Sequence, residues 1–430
     1  MEKYRERISD KQLEKLLRLS GAVLVTGVKW CGKTTSSRQY AKSEVTLDNS
    51  EEGKDLIARA NAMPSDVLNR EAPLLIDEWQ NAPRLWDAVR REVDNRGKRG
   101  QFILTGSSTP IDEKSKSEIF HSGFGRIANL KMHTMSSYET GFSYGKVSLS
   151  KLFEDGNMDI SEHSNRSIED AALALCRGGW PNSIDDTDED ALEIPYILLD
   201  ELINVDVQRK LEEMGLRKNP SEVRRLLRSY SRNVSTQASK NLIRKDLSSN
   251  EDTLFNEETF NKYLALLESM FITEDLEAWA PSVRSKVRVQ GMPTRHLSEP
   301  SLAVASLGLS PGGLIKDFKT FGFLFESYVI KDLRVYATSM NGNVFHYRDY
   351  KGLEADAVIE LRDQRWAMFE VKLFNPERVD EGARDLLKIK EKMNYSSMKE
   401  PSFLMVITAG KYARKRPDGV YEIPISLLAP

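Results

Sequence analysis

The stretch GVKWCGKTT at residues 27–35 constrains the fold more than any other part of this sequence. It follows an apolar run, AVLVT, and leads into polar sequence that is compatible with a helix. Small glycines let backbone N–H groups turn inward around phosphate oxygens, and the helix that follows presents its positive end to the same anion. A strand, this loop and a helix in succession predict an α/β domain built around a phosphate site.

The residues from Gly27 to Thr34 match the pattern G-x-x-x-x-G-K-[ST] at every fixed position. In this pattern Lys33 neutralises the β- and γ-phosphates of a nucleotide, and the hydroxyl of Thr34 is a ligand of Mg²⁺. The variable positions present backbone rather than side chain, so we expect their residues to be tolerated. The residues predicted to bind ATP here are Gly27, Val28, Lys29, Trp30, Cys31, Gly32, Lys33, Thr34 and Thr35.

An acidic motif follows the loop at a spacing typical of ATP-hydrolysing enzymes. The run PLLIDEWQ at 73–80 is an apolar strand that ends in Asp77 and Glu78. We predict that Asp77 holds Mg²⁺ through water and that Glu78 polarises the attacking water. A further strand, QFILTGSS, ends in Thr105 and Ser107, candidates for contact with the γ-phosphate, with Thr105 as the assigned residue. The alternative is that these hydroxyls only begin a turn.

The segment HSGFGRI at 121–127 contains an arginine, Arg126, that we assign as an arginine finger. Such a residue supplies positive charge to the transition state of phosphoryl transfer, either within its own chain or to a neighbouring subunit. Action on a neighbour implies a homo-oligomer. The alternative is a surface arginine that has no contact with phosphate.

Three regions with different patterns divide the chain. To about residue 145, short apolar strands alternate with amphipathic helical stretches, which predicts a parallel, doubly wound sheet. Residues 145–167 are polar and weakly periodic, and we interpret them as a linker or irregular insertion. The chain is therefore predicted to be an α/β protein with domains at 1–145, 165–312 and 315–430.

The middle region is helical and basic. Three short amphipathic helices, from SEVRRLLRSYSRN to NEETFNKYLALLESMFI, precede two strand-like runs, which is the order of a winged helix-turn-helix. Residues 207–245 hold 11 Lys or Arg against 3 Glu, which predicts salt-sensitive DNA binding without sequence preference. Winged helices also contact proteins, so that alternative stays open. Further phosphate contacts are expected from Ser235, Thr236 and Gln237 and from a wing with Arg284, Lys286 and Arg288.

The last region carries two spaced carboxylates and a lysine. In GLEADAVIELRDQRWAMFEVKL, 13 residues separate Asp356 from Glu370, and Lys372 follows two positions later. Carboxylates on adjacent strands can chelate Mg²⁺, and a lysine on the same strand face can activate water. A four-residue loop would set Asp356 opposite Val371 on the wrong face. The site therefore requires an odd-length loop or a β-bulge.

This pattern resembles the PD-(D/E)xK nuclease superfamily, whose restriction-endonuclease-like core is a helix plus a mixed sheet. The resemblance implies catalytic roles for Asp356, Glu370 and Lys372, with Mg²⁺ held by the two carboxylates. Glu326, in the helix FGFLFESYVIKDLRVYA, matches the acidic helix residue of many members, which implies a further metal ligand. The sequence lacks the proline of the family name. The alternatives are an exposed hairpin and a member that binds DNA without cleaving it.

Several motifs together resemble the prokaryotic AAA-superfamily ATPases that carry an uncharacterised C-terminal region. They are GVKWCGKTT, LLIDEWQNAP, FILTGSS, GRI and RGGWP, spread over the first 181 residues. The resemblance covers nearly the whole chain and implies ATP hydrolysis with Mg²⁺. Family members usually fill the phosphate loop with different residues, and the group has no well-defined cellular role.

Composition limits the other partners. The net charge is −3, so contact with nucleic acid must be local. Cys31 and Cys176 form no CxxC pair, so neither a zinc site nor a disulfide framework is expected. No apolar run is long enough to span a membrane, and the N-terminus lacks a signal segment. We therefore expect a cytoplasmic protein without a membrane partner.

Two functions compete on this sequence. In the first, ATP binding and hydrolysis rearrange the winged-helix and nuclease-like domains on DNA, which the C-terminal domain cleaves. In the second, the protein is an ATP-dependent regulatory switch whose C-terminal domain only binds DNA or a protein. A P-loop kinase is the weaker reading, because a catalytic glutamate follows Asp77.

Overall fold

A computed structural model of the protein describes residues 4–109, 122–248, 255–281, 291–396 and 398–430. Within these ranges the chain forms a parallel sheet in its N-terminal part, a helical middle part and a larger mixed sheet in its C-terminal part. None of the helices described there is both long enough and apolar enough to cross a membrane.

The N-terminal sheet is parallel throughout, as predicted. Its strands are β1 Ala22–Thr26, β2 Ser43–Thr46, β3 Leu74–Asp77, β4 Phe102–Gly106 and β5 Ile127–Lys131. They lie in the spatial order β2-β3-β4-β1-β5, so β4 separates the strand before the phosphate loop from the acidic strand. The central strands are fully buried apolar runs, because helices cover both faces of a parallel sheet. β5 was not among the predicted strands.

Five helices of the described residues surround this sheet, and their ends follow local sequence signals. They are α1 Ile8–Leu19, α2 Lys33–Arg38, α3 Glu51–Ala62, α4 Pro64–Leu68 and α5 Arg84–Arg96. The hydroxyl of Ser50 caps α3 by accepting a hydrogen bond from the N–H of Gly53 at 3.0 Å. α5 stops at Gly97, whose φ of +60° ends a helix without strain. The phosphate loop follows β1 and the acidic motif ends β3. Because the strands are parallel, both lie at the same end of the sheet.

The stretch interpreted as a linker contributes one strand to the C-terminal sheet and another to a separate two-stranded sheet, so that interpretation is wrong. It forms β6 Val147–Ser148, α6 Leu149–Asp155 and β7 Ser161–His163. β6 pairs in parallel with residues 428–429, and β7 pairs antiparallel with residues 412–414. The polar sequence misleads because all three side chains of β7, an edge strand, are exposed.

Eight helices make up the described middle region. They are α7 Ile168–Arg177, α8 Asp188–Glu201, α9 Val207–Glu213, α10 Pro220–Arg232, α11 Lys240–Asp246, α12 Glu257–Ser269, α13 Pro300–Leu307 and α14 Pro311–Lys316. α10, α11 and α12 lie where the three amphipathic helices were predicted. Among the described residues around the expected hairpin, isolated bridges join 273–276 to 294–297. Its second predicted strand, at 285–291, falls almost wholly outside the described residues.

The C-terminal part is a seven-stranded sheet between two long helices. The helices are α15 Phe318–Ser339 and α16 Pro376–Lys392. Besides β7, the sheet contains β8 Gly342–Arg348, β9 Glu354–Leu361, β10 Trp366–Lys372, β11 Leu404–Thr408, β12 Tyr412–Lys415 and β13 Tyr421–Pro424. The last strand, β14 Leu428–Ala429, lies outside this sheet and pairs with β6. The spatial order is β7-β12-β13-β11-β10-β9-β8. β9 is antiparallel to both of its neighbours, β8 and β10, and β11 runs parallel to β10 after the crossover through α16.

Alternation along the strands sends side chains to two separate helix-covered cores. Phe369 and its alternate neighbours pack with α15 residues such as Phe325, whereas Met368 packs with α16 residues such as Leu386. Complete burial of one such side chain contributes about 2 kcal/mol. A shift of one residue in register would exchange the two faces, so packing fixes which residues of β9 and β10 share a face.

Candidate functional site

The loop between β1 and α2 has a conformation that depends on its two glycines. Gly32 has a φ of +99°, in the left-handed region where side chains are strained. A Cβ atom on Gly27 would lie 2.1 Å from the carbonyl oxygen of Met132, which is far inside van der Waals contact. Larger residues at either position would therefore displace the backbone predicted to hold phosphate.

Lys33, the first residue of α2, is folded back onto the loop. Its buried ammonium donates to the carbonyl oxygens of Gly27 at 3.0 Å and Val28 at 2.9 Å. A phosphate entering the loop would offer this ammonium charged oxygens, and charge-assisted hydrogen bonds are about twice as strong as neutral ones. Lys33 is thus held within the loop where it is predicted to act.

The variable positions of the loop use their side chains for other contacts. The ammonium of Lys29 forms ion pairs with Glu201 at 2.8 Å and Asp206 at 3.0 Å. Asp206 is the last residue of the π-helical turn between α8 and α9, and Glu201 is the residue before that turn. Cys31 is completely buried, and Trp30 is half exposed with a left-handed φ of +69°. The contact of the loop backbone with phosphate stays a prediction.

Asp77 ends β3 and gathers two hydroxyl groups. The hydroxyl of Thr34 donates to its Oδ1 at 2.8 Å, and the hydroxyl of Thr105 donates to the same oxygen. Burial raises the pKa of Asp77 above its ordinary value, although both hydrogen bonds act in the opposite direction. Carboxylate and hydroxyl oxygens are ligands that Mg²⁺ prefers, and a cation would favour the ionised carboxylate. Asp77 and Thr34 therefore fit Mg²⁺. Thr105 contacts Asp77, and Thr35 is exposed on α2.

A complete protein cage for a metal is absent from the described parts of the chain. There, no group of three or more His, Cys, Asp or Glu side chains is arranged to hold an ion. Mg²⁺ commonly keeps several waters and takes its remaining ligands from substrate phosphates. A site with one carboxylate and one hydroxyl is therefore sufficient when a nucleotide supplies the other oxygens.

Glu78 is held in a defined orientation beside Asp77. Its backbone is in the left-handed region, with a φ of +55°, at the turn into a short 3-10 helix. Ser107 donates to its carboxylate at 3.1 Å, and Gln80 donates to the same oxygen. The two hydroxyl candidates of the QFILTGSS strand thus have separate partners, because Thr105 contacts Asp77 and Ser107 contacts Glu78.

Arg126 lies at the other end of the sheet from the phosphate loop. β5 runs parallel to β1 with Ile127 beside Ala22, so Arg126 lies at the end of the sheet where β1 begins. The phosphate loop follows the other end of β1, about 15 Å away along that strand. The guanidinium pairs with Asp94 at 3.0 Å on the protein surface. A role for Arg126 in hydrolysis therefore requires the active site of a neighbouring subunit.

Arg7 contacts the phosphate loop and was not identified from the sequence. Its buried guanidinium donates to the carbonyl oxygens of Cys31 and His133, both at 2.8 Å, and pairs with Glu139 at 2.9 Å. Glu139 also accepts hydrogen bonds from the N–H groups of Ser136 and Ile8. Arg7 belongs to a charged segment with no motif, so only its burial reveals its role in holding the loop.

Replacing Arg7 with alanine is expected to lower the free energy of unfolding by about 3–5 kcal/mol, because the Glu139 carboxylate would stay buried without its partner. The measurement is denaturant unfolding at neutral pH. Arg5→Ala is the matched control, since Arg5 pairs with Asp185 on the surface and such pairs contribute at most about 1 kcal/mol. Equal stability of the two variants would contradict the prediction.

The stability difference should also depend on pH. Burial raises the pKa of Glu139, but the charge of Arg7 and the hydrogen bonds outweigh it and hold this pKa below its ordinary value. A carboxyl with a lowered pKa stabilises the fold above its unfolded-state pKa, and this contribution is lost as the pH falls through the folded-state value. The deficit of Arg7→Ala should therefore shrink as the pH falls below the ordinary Glu pKa of about 4.3 towards the lowered folded-state value, as measured by unfolding at a series of pH values that starts at neutral pH and continues into acid.

The hairpin between β9 and β10 has the odd-length loop that the C-terminal site requires. The N–H of Leu361 donates to the carbonyl oxygen of Arg365 at 2.8 Å, which leaves three residues in the loop. Gln364, the last of the three, takes a left-handed φ of +67°. The register of β9 against β10 consequently places Asp356 opposite Glu370, with both side chains on one face.

Lys372 lies between the two carboxylates. Its ammonium donates to Glu370 and is 3.5 Å from Oδ2 of Asp356, which also accepts the N–H of Val371 at 2.7 Å. Gly382 of α16 packs over the group, since a Cβ atom there would lie 3.3 Å from that of Glu370. The three residues predicted from sequence are therefore in direct contact.

The electrostatics of this group extend to α15. Burial, and then the charge of Asp356, raise the pKa of Glu370 and of Glu326 well above the ordinary range. Burial opposes ionisation of Lys372 as well, but the charges of Asp356 and Glu370 hold its pKa above the ordinary value. A hard cation would favour the ionised carboxylates, so the pair Asp356 and Glu370 fits Mg²⁺, whereas the Lys372 ammonium is not a metal ligand.

Acidic partners neutralise part of the basic middle region. The ion pairs are Lys218–Glu212, Arg224–Asp200, Arg232–Asp246 and Arg244–Glu257. Exposed cations of the same region include Arg217, Arg228, Lys240 and Lys245. The predicted wing with Arg284, Lys286 and Arg288 lies outside the described residues. The basic surface is therefore smaller than the count of basic residues indicates.

Three family models match successive parts of the chain. Residues 20–141 match the AAA domain, residues 168–312 match a domain of unknown function (DUF8612), and residues 321–428 match another (DUF4143). The AAA match spans the phosphate loop and the acidic motif. The N-terminal part is therefore an AAA-type P-loop ATPase domain, which indicates ATP binding and hydrolysis, whereas the other two matches name no function.

Similar proteins add little on function. Uncharacterized proteins of Mycobacterium tuberculosis and Mycobacterium bovis are each 23% identical over 381 residues, covering 87% of this chain and 76% of theirs. The Walker-type ATPase of Pyrococcus abyssi has a TM-score of 0.41 and 16% identity, covering 69% of this chain and 94% of that one. The ORC2 protein of Aeropyrum pernix, in its ADP form, has a TM-score of 0.24 and 12% identity, covering 62% and 83%.

Proposed function

We propose that this protein uses ATP hydrolysis to act on DNA and cleaves that DNA at its C-terminal site with Mg²⁺. The observation that carries the proposal is the contact of Asp356, Glu370 and Lys372 on one face of the C-terminal sheet. The same chain holds an ATPase domain. Two sites suited to phosphate chemistry in one chain favour a role in which one controls the other.

At the ATP site, each residue has a role that its contacts support. Lys33, whose ammonium lies beside the carbonyl oxygens of Gly27 and Val28, binds the phosphate oxygens. Glu78, oriented by Ser107 and Gln80, aligns a water and accepts its proton. Thr34 and Asp77 would hold Mg²⁺, which when bound supplies charge that stabilises the transferring phosphoryl group.

A Glu78→Gln variant is expected to hydrolyse ATP about 100-fold more slowly or worse, because the amide cannot accept the proton from water. ATP affinity should stay within a few-fold, since Lys33 and the loop are unchanged. The measurements are steady-state hydrolysis and equilibrium binding of a fluorescent ATP analogue. Glu52→Gln, an exposed carboxylate at the start of α3, is the matched control. Unchanged hydrolysis in Glu78→Gln would remove this residue from the mechanism.

The order of elements in the C-terminal part supports a nuclease-like core. A helix (α15), three antiparallel strands (β8, β9 and β10), a second helix (α16) and a parallel strand (β11) follow one another, with the helices on opposite faces. This is a helix plus a mixed sheet, the core expected from the sequence resemblance. The carboxylates lie on the adjacent strands β9 and β10, as that chemistry needs.

The chemistry proposed for this site is hydrolysis of a phosphodiester. Asp356 and Glu370, with Glu326 nearby, would hold the cation, which when bound polarises the phosphate and lowers the pKa of a water. Lys372 is placed to orient that water and to stabilise negative charge on the phosphate. Gly382 leaves room beside Glu370 and Lys372 that a larger residue of α16 would fill.

A second function, a regulatory switch that binds without cleaving, is favoured by one observation. The Lys372 ammonium contacts both carboxylates and already neutralises part of their charge. A cluster of this kind can also be a stable ion-pair network in a binding module. In that case ATP would control access to a DNA or protein surface.

The test of the proposed function is cleavage of plasmid and linear DNA by the full chain. Mg²⁺ or EDTA and ATP or no nucleotide are combined, and DNA-stimulated ATP hydrolysis is measured at low and high salt. Cleavage that requires Mg²⁺, with stimulation that falls steeply with salt, supports the proposal. Intact ATP hydrolysis that ignores DNA, without cleavage under any condition, would instead support the switch.

A further inference from the structure

The rim of the C-terminal site carries a pair of partly exposed aromatic rings. Phe318 is 45% exposed and Phe374 is 46% exposed, and their ring centroids are 5.3 Å apart in an edge-to-face arrangement. Phe374 is two residues beyond Lys372, and Phe318 begins the helix that carries Glu326. Eight residues of helix place Phe318 about 12 Å from Glu326 along α15. Because Phe374 contacts Phe318 and follows Lys372 by two residues, the pair lies near the carboxylates and lysine of the site.

A third ring projects from the turn that leads into β9. Tyr350 is 92% exposed, yet its turn is well fixed, because Asp349 accepts the N–H groups of Lys351 at 2.8 Å and Leu353 at 2.9 Å. Asp356 follows this turn at a distance of about 10 Å along the strand. The ring itself, with the Lys351 ammonium 5.6 Å from its centroid, contributes nothing to the core and is available for a ligand.

The middle region meets the same rim. Ser235 donates to the carbonyl oxygen of Phe323 on α15 at 2.8 Å, and Arg348 at the end of β8 donates to Gln237 at 3.1 Å. Ser235 and Gln237 were predicted from sequence to contact phosphate. Two segments that are far apart in sequence and were assigned separately to nucleic acid therefore form one continuous surface.

We propose that the substrate of the C-terminal site is single-stranded DNA, whose bases stack on an aromatic rim formed by Phe318, Tyr350 and Phe374. This inference rests on the proposed function, in which the site binds DNA. A duplex hides the faces of its bases, so exposed rings can stack only on unpaired bases. An exposed lysine follows Phe318 and another follows Tyr350, which places positive charge beside each ring for the backbone phosphates.

The charge of this surface does not favour binding of duplex DNA. Arg348 pairs with Glu354 at 3.5 Å and Lys392 pairs with Asp349 at 3.2 Å, so the rim has mixed charge. Duplex binding depends mainly on neutralising many phosphates, whereas stacking supplies affinity that needs fewer charges. The aromatic rim is therefore better suited to a strand with unpaired bases than to a continuous duplex.

The experiment measures binding of the full chain, in EDTA to prevent cleavage, to a 20-nucleotide oligonucleotide and to the matching duplex. Fluorescence anisotropy reports affinity, and 2-aminopurine in the strand reports stacking through quenching. Phe374→Ala and Tyr350→Ala are each expected to weaken single-strand binding by about 5-fold to 100-fold and to reduce the quenching. Tyr412→Ala is the control, since Tyr412 is 65% exposed on β12, three positions from β10 in the sheet.

The outcomes distinguish a failure of the single-strand inference from a failure of the proposed function. Preference for the single strand, lost in the rim variants and kept in Tyr412→Ala, supports the inference, provided thermal melting shows all variants folded. Equal affinity for duplex, or unchanged quenching in the rim variants, would overturn single-strand stacking and leave DNA binding in place. Failure of the unmodified protein to bind either DNA would overturn the proposed function and this inference with it.

Discussion

An Arg126→Ala variant is expected to hydrolyse ATP about 1,000-fold more slowly than the unmodified protein, because an arginine finger stabilises charge on the transferring phosphoryl group. The residue is too far from the phosphate loop of its own subunit to act there, since it stands at the opposite edge of the sheet. ATP binding should be retained, because Lys33 and the loop are intact. Steady-state hydrolysis and nucleotide affinity are the measurements.

Mixing variants tests the direction of this contact. A Lys33→Ala chain has no functional phosphate loop but keeps Arg126, and an Arg126→Ala chain has the reverse. Equimolar mixing should recover measurable hydrolysis, since some interfaces would join an intact loop to an intact arginine. Arg91→Ala, an exposed arginine on α5, is the matched control and should behave as the unmodified protein. Normal hydrolysis in Arg126→Ala, or no recovery on mixing, would contradict action on a neighbouring subunit.

Asp356→Asn is expected to reduce DNA cleavage by at least about 1,000-fold. The carboxylate opposite Glu370 would lose the charge that holds a cation, and metal catalysis supplies several kcal/mol of transition-state stabilisation. The amide is nearly the same size, so the fold should be preserved, which thermal unfolding can verify. The rate of plasmid nicking with saturating Mg²⁺ is the measurement.

Asp363→Asn provides the matched control within the same hairpin. Asp363 lies in the exposed loop after β9 and pairs with Arg365, away from the carboxylate pair. Its loss should leave cleavage within about two-fold, as expected for a surface ion pair. If both variants cleave equally well, Asp356 is not part of a catalytic site, and the observed activity would have to come from elsewhere.

The sequence predicted the ATPase domain well because its chemistry depends on short local motifs. The glycines, Lys33 and Thr34 are contiguous, and the acidic pair follows a strand that any periodicity analysis detects. The hydrogen-bond partners of the hydroxyl groups at this site could not be predicted in the same way. Thr105 turns to Asp77 while Ser107 turns to Glu78, a choice that depends on the twist of neighbouring strands. Arg7, far away in sequence, required the folded chain to reveal it.

The C-terminal site shows how much one residue of loop length decides. The spacing of Asp356, Glu370 and Lys372 is visible in the sequence, but their relative face depends on whether Arg365 belongs to the loop or to the ladder. A left-handed Gln364 decides this in favour of a three-residue loop. Left-handed glutamine is uncommon, so no propensity argument would have selected it.

The polar stretch at 147–163 also has a consequence for how the chain reaches its folded state. Its strands find their partners nearly at the other end of the sequence, as in the 2.7 Å bond from Ser148 to Pro430 across a separation of 282 residues. The ATPase sheet, complete at β5, can form early on the ribosome, whereas β6 and β7 must wait until residues 412–430 emerge. Contacts of such long range slow folding. Fragments that begin near residue 315 would lack the edge strand that covers β12, and an uncovered edge invites aggregation.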